Sequence, residues 1–144
     1  MFRAFDISAS ALTMQKLRMD VIAQNIANAQ TTRTETGQPY RRKVVVVKED
    51  EFTKPFSQYL AESGVKFSGS GVKVTRVQAD PTPFKRIYDP GHPDADEEGY
   101  VLMPNVDTVR EMVDMISATR SYEANVTAFN ASKNLAMKAL EIGR

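Results

Sequence analysis

The sequence predicts an α+β fold in which long helices at the two ends of the chain pair as a coiled coil around a small β-rich middle domain. Three observations predict it. Near the front, Phe5, Ser8, Leu12, Gln15, Met19, Ile22, Ile26 and Ala29 follow one another at alternating steps of three and four residues, the a/d spacing of a heptad seam. Near the end, Met112, Met115, Thr119, Tyr122, Val126, Phe129, Lys133, Ala136 and Leu140 keep the same alternation. Between them, β-branched runs are broken by glycine and proline clusters, the pattern of short strands joined by turns. Residues 1–33 and 104–144 form the helical part and residues 34–103 the middle domain, with a loop at 49–70.

The first helix is expected to begin at Asp6 or Ser8, whose side chains can accept a hydrogen bond from a first-turn N–H, and to run to about Ala29. Residues 37–39 end it. A second apolar face, Ile7, Met14, Leu17 and Val21, calls for more than one neighbour. Residues 40–48 read as a strand with the valines 44–47 covered on both faces and Arg41, Arg42 and Lys43 at its mouth. Residues 49–70 read as an exposed polar loop with a short turn of helix around 56–60. Strands follow at 71–77, 84–88 and 100–103, the last two separated by an ordered turn at 89–99. Pro104, Asn105 and Asp107 open the final helix, which is expected from Val106 to about Ile142 with Gly143 as its stop. At 1.5 Å per residue it is ~55 Å long, more than the β unit can cover.

A second row runs along that helix: Val109, Val113, Ile116, Arg120, Glu123, Thr127, Asn130, Asn134 and Met137. It begins apolar and turns polar, which fits either a register-specifying contact with another copy or a face turned to water. Excess apolar surface on both terminal helices is buried most readily in a fibre or tube of many subunits.

Composition narrows the function classes. The 19 lysines and arginines nearly cancel the 18 aspartates and glutamates, so no general attraction to nucleic acid or an anionic membrane follows. The absence of cysteine removes thiolate chemistry and most zinc sites. No apolar run reaches the length of a membrane span, and Asp6, Lys16, Arg18 and Asp20 interrupt any signal-peptide core. The cluster His92, Asp94, Asp96, Glu97 and Glu98 does not have calcium-loop spacing and reads as a proline-braced turn with solvated acids. No spaced nucleophile or phosphate-binding glycine loop accompanies the lone histidine, so neither an enzyme nor a cofactor is expected. Arg41, Arg42 and Lys43 are too few for a nucleic-acid site and are expected to meet acidic loops of adjacent subunits.

The segment Arg18-Met-Asp-Val-Ile-Ala-Gln-Asn-Ile-Ala-Asn-Ala-Gln-Thr-Thr32 resembles the N-terminal signature of bacterial flagellar rod and hook proteins. Residues 88–107, with the turn Asp89-Pro-Gly-His-Pro-Asp94, followed by Glu111-Met-Val113 and Thr119-Arg-Ser-Tyr-Glu-Ala-Asn125, are similar to the proximal rod subunits of that family. The resemblance covers most of the chain outside residues 49–70. It implies a structural role in a helically stacked, hollow, torque-bearing rod, with the terminal helices lining the inner wall and the β domain outside them. The implied partners are further copies, other rod subunits, the basal-body base and the flagellar type III export apparatus, without nucleic acid or a membrane span. The implied place is the basal body on the periplasmic side of the cell envelope, reached without a cleaved signal. Asn25, Asn28, Arg120, Glu123 and Asn125 fall on the family motifs. The two first asparagines are expected to bond carbonyls or neighbouring subunits where the chain leaves its helix. The alternatives are another axial rod subunit, or a soluble homodimeric adaptor whose helices close into a four-helix bundle.

Overall fold

The computed structural model describes residues 2–50 and 70–142. Helix α1 spans Phe2–Ala27 and helix α2 spans Thr108–Ile142. They lie side by side and antiparallel: Phe5 meets Phe129 edge to face at 5.1 Å, Arg18 meets Asp114 at 3.8 Å, and Asn25 meets Glu111 at 3.0 Å. The ring contact explains why α1 starts ahead of the expected Asp6 or Ser8, since it ties the first turn to α2. At the other end Asn28 stops the helix, its Nδ2 donating to the Gln24 carbonyl and its Oδ1 accepting from Thr31. Helix α2 begins two residues later than expected because Asp107 is its cap, accepting from the N–H groups of Val109 and Arg110. With 35 residues against 26, α2 runs roughly three turns past the front of α1.

Among the described residues there are, instead of one β unit, two separate two-stranded antiparallel sheets, and the valine strand is not covered on both faces. Strand β1 (Lys43–Asp50) pairs with β2 (Gly71–Ala79), with a bulge between Val46 and Val47. Residues 49 and 50 therefore belong to a strand rather than a loop, and Val47 stays 42% exposed. The turn of helix expected at 56–60 lies outside the described residues. Strand β3 (Lys85–Tyr88) pairs with β4 (Tyr100–Met103).

The second apolar face of α1 explains the position of the first sheet. Val21 is buried, with Ile7, Met14 and Leu17 partly so. Ser10 Oγ donates to the Ile7 carbonyl and accepts from Val72 N–H at 3.1 Å. Gly71 makes this approach feasible, since a Cβ there would stand 2.8 Å from Ser10 Oγ. The second sheet is closed by its turn: Asp96 Oδ1 accepts from Glu98 and Tyr100 N–H groups, and Gly99 sits at φ +78° against the Tyr88 ring. Among the described residues the buried apolar core is small: Val21, Ile22, Val101, Val106 and Ala118. At about 1.5–3 kcal/mol for a fully buried valine or isoleucine, so few residues leave polar contacts a large share in fixing how the elements sit.

Candidate functional site

The most heavily bonded place among the described residues is where the end of α1, the start of α2 and one end of the first sheet, the start of β1 beside the end of β2, converge. Asn25, on the last turn of α1, is 1% exposed and uses its whole amide. Its Nδ2 donates to the Lys43 carbonyl and to Glu111 Oε2, and its Oδ1 accepts from Lys43 N–H and the Tyr40 hydroxyl, all at 2.9–3.0 Å. By exchanging bonds with both backbone groups of Lys43, the side chain acts toward β1 as a neighbouring strand would. Glu111, in the first turn of α2, is also 1% exposed. Its position near the helix N-terminus favours an anion, and its Oε1 accepts from Arg42 Nε at 2.7 Å and a terminal nitrogen at 2.6 Å. The same guanidinium reaches Asp80 at 3.3 Å and Asp114 at 3.6 Å. Asn105 Oδ1 accepts from Arg42 N–H, while its Nδ2 donates to the carbonyls of Asp80 and Thr82.

The electrostatics follow from this packing. Burial works to lower the Arg42 pKa, but the hydrogen bonds and charges of Glu111 and then Asp80 outweigh it and leave it raised. Burial, aided by the Glu111 charge, raises Tyr40 above the usual phenol value. Asp80 is lowered, first by the Thr82 N–H it caps, then by the Thr82 hydroxyl and Arg42. A depressed carboxylate stabilises the fold fully above its unfolded pKa, about 3.9, and loses that contribution as pH falls through the folded value. Asp80→Asn is accordingly expected to melt below the parent at neutral pH, the gap closing as pH drops below about 4, in melts followed by circular dichroism. A gap independent of pH would remove the charge from the account.

Neither Arg41 nor Arg42 is left for a neighbouring subunit. Arg41 donates to the Asp80 and Thr82 carbonyls and stacks over the Phe84 ring at 4.3 Å. In the acidic turn, Asp94 accepts from Thr32 and pairs with Arg33, Asp96 pairs with Arg86, and His92 Nδ1 accepts from Asp94 N–H. No group of three metal-ligating side chains converges among the described residues.

The front seam residues Phe5, Leu12, Met19 and Ile26 are partly buried and Ile22 is 5% exposed. On α2, Met115, Tyr122, Val126 and Phe129 are partly buried, whereas Met112 and Leu140 stay 54% and 76% exposed. The row of α2 turned inward thus combines Met115, Tyr122 and Phe129 with Glu111, Ala118 and Asn125, about one residue round from the heptad row of the sequence. Two residues set that rotation: Glu111 is drawn to Asn25 and Arg42, and Ala118, fully buried, lets the helices approach. Asn25 and Asn28 both bond within the chain. Asn125 Nδ2 donates to the Ser121 carbonyl of its own helix. Arg120 and Glu123 are exposed and make no ion pair with each other.

They belong to the second row of α2. Every residue of that row, from Val109 to Met137, is exposed. Its start, Val109 (70% exposed), Val113 (62%) and Ile116 (55%), forms with Met112 (54%) of the heptad row a contiguous apolar patch on the side of α2 away from α1. Sequence reading took Tyr40 and Asp80 only as limits of strands and expected Arg42 to meet adjacent subunits, whereas all three bond within this junction. The signals for the junction were Asn25 at the end of the first helix and an acid, Glu111, beside an apolar heptad row.

Comparison with known proteins places these features. Residues 5–33 match a family model described as flagella basal body rod protein, and residues 97–142 match one described as the C-terminal region of the flagellar basal body rod FlgEFG proteins. The chain is 50% identical to the flagellar basal-body rod protein FlgC of Bacillus subtilis over 99% of its own length and 98% of that protein's. It is 44% identical to the FlgC of Borreliella burgdorferi, covering 99% and 97%, and 41% identical to that of Aquifex aeolicus, covering 97% and 95%. Asn25 lies in the first matched segment; Asn105 and Glu111 lie in the second.

Proposed function

Because the chain belongs to the FlgC family of flagellar basal-body rod proteins, we propose that it polymerises helically, with itself and other rod subunits, into the proximal part of a hollow shaft. The chain is a structural subunit of that rod, a non-enzymatic role. The shaft transmits torque and conducts exported subunits, and motility depends on it. The observation that carries the assembly reading is the apolar patch of Val109, Met112, Val113 and Ile116, which a lone subunit leaves in water. The overhanging end of α2, with Leu135, Met137 and Leu140 exposed, supports the same reading.

In this proposal the helical segments 1–33 and 104–144 pair as a coiled coil and pack with those of neighbours, while residues 34–103 lie outside them. The seam residues Met112 and Leu140, and the motif residues Arg120 and Glu123, face other subunits. Asn25, Asn28 and Asn125 act through the shape of the subunit. The chain works in the periplasmic part of the basal body, delivered by the flagellar type III export apparatus. Among the described residues no helix is long and apolar enough to cross a membrane.

The test is incorporation. Expressed in a flagellated bacterium deleted for its own FlgC, the chain is expected to restore swimming and to be present in purified basal bodies. Its absence from them, together with a discrete soluble dimer in light scattering, would replace the rod reading with the homodimeric adaptor.

A further inference from the structure

The outward face of the first sheet carries an unrelieved positive charge. Cross-strand partners share a face, so Lys48 and Lys73, directly opposite in the register, stand side by side. Arg76, opposite Val46, joins them, because the extra residue of the bulge, Thr75, lies in β2 and returns Arg76 to the side of Lys73. All three are exposed. Like charges directly opposite in a ladder destabilise it, yet no salt bridge reaches any of the three among the described residues. Asp50, on the same face opposite Gly71, pairs with none of them.

A complementary surface exists on the other sheet. The turn between β3 and β4 uses Asp89 and Asp96 to hold its own shape and Asp94 to bond Thr32 and Arg33. Glu97 and Glu98 are left pointing outward, Glu98 with its side chain 76% exposed and only a 3.7 Å contact to Arg86. Within one copy, these glutamates form no ion pair with Lys48, Lys73 or Arg76.

We propose that the basic face of β1 and β2 receives Glu97 and Glu98 of a second copy of this chain. Such a contact joins two different surfaces, so it repeats from copy to copy without closing on itself and suits an open helical stack. Its main effect is on register and encounter rate rather than on raw affinity. The inference rests on the rod reading but involves neither the α2 patch nor the Asn25 junction.

A charge exchange tests it. The double variant Lys48→Glu with Lys73→Glu, and separately Glu97→Lys with Glu98→Lys, are each expected to fold normally by circular dichroism and to lower the swimming fraction and rod yield at least tenfold. Combining all four substitutions in one chain is expected to restore both. Normal swimming with either double variant would overturn the contact while leaving the rod reading intact, because the unaltered chain still restores swimming. Failure of the combined variant to recover would show that the two surfaces do not meet each other. Binding of the purified parent to phosphatidylglycerol vesicles, lost with the lysine variant and kept with the glutamate variant, would overturn it in favour of a lipid surface.

Discussion

Replacing Val113 and Ile116 together with aspartate is expected to abolish rod assembly and swimming while leaving the folded subunit as stable as before. Both side chains are more than half exposed, 62% and 55%, so in the free chain the new carboxylates remain in water. Substitutions at such surface positions usually change stability by no more than about 0.5 kcal/mol. On the proposed assembly the same positions become buried against a neighbouring subunit. Two unpaired carboxylates brought out of water, one turn apart on a helix face, cost several kcal/mol, and each 1.4 kcal/mol is roughly tenfold in affinity. The check pairs a thermal melt of the purified variant with counts of basal bodies from cells that express it. An unchanged melt with normal basal bodies would show that the apolar start of the α2 row faces solvent in the rod.

Glu111→Ala should act in the opposite place, on the subunit itself. The carboxylate is 1% exposed and answers two partners, Arg42 and Asn25. Its removal leaves a guanidinium with its side chain 20% exposed short of its nearest counter-charge and deprives the buried Asn25 Nδ2 of one acceptor. Losing one partner of a buried pair typically costs about 3–5 kcal/mol. For a chain of this size that lowers the melting temperature by roughly 10 °C. Asp80 and Asp114 stay within reach of Arg42 and temper the loss. Glu111→Ala combined with Arg42→Ala is expected to cost less than the two single changes added, the signature of a direct pair. A loss under about 1 kcal/mol would mean that the junction is held by the Asn25 bridge to Lys43 instead.

What could be read from the sequence was whatever repeats locally. The α1 rows announced both neighbours of that helix, because the spacing of Phe5 to Ala29 and of Ile7 to Val21 is fixed by 3.6 residues per turn. Strand β4 emerged at its true limits, with its turn on one side and Pro104 on the other. The rotation of α2 was not legible. It depends on Glu111, whose partners are 69 and 86 residues away, and no periodicity registers so distant a bond. The destination of Arg41 and Arg42 was hidden for the same reason: charged residues at a strand mouth look solvated until Asp80, Asn105 and Glu111 are brought round them. The division into two small sheets turned on which strands found partners, and alternation alone does not specify partners.

The pairing of the first helix with the last also sets the order of events when the chain folds. Phe5 cannot cover its ring until Phe129 exists, and Asn25 cannot complete its amide until Glu111 does. A chain that emerges from its N-terminus onward must therefore keep α1 waiting for most of its length, with the closure of a long loop to be met before any seam contact forms. The seam contacts are therefore held back until the final helix has been made.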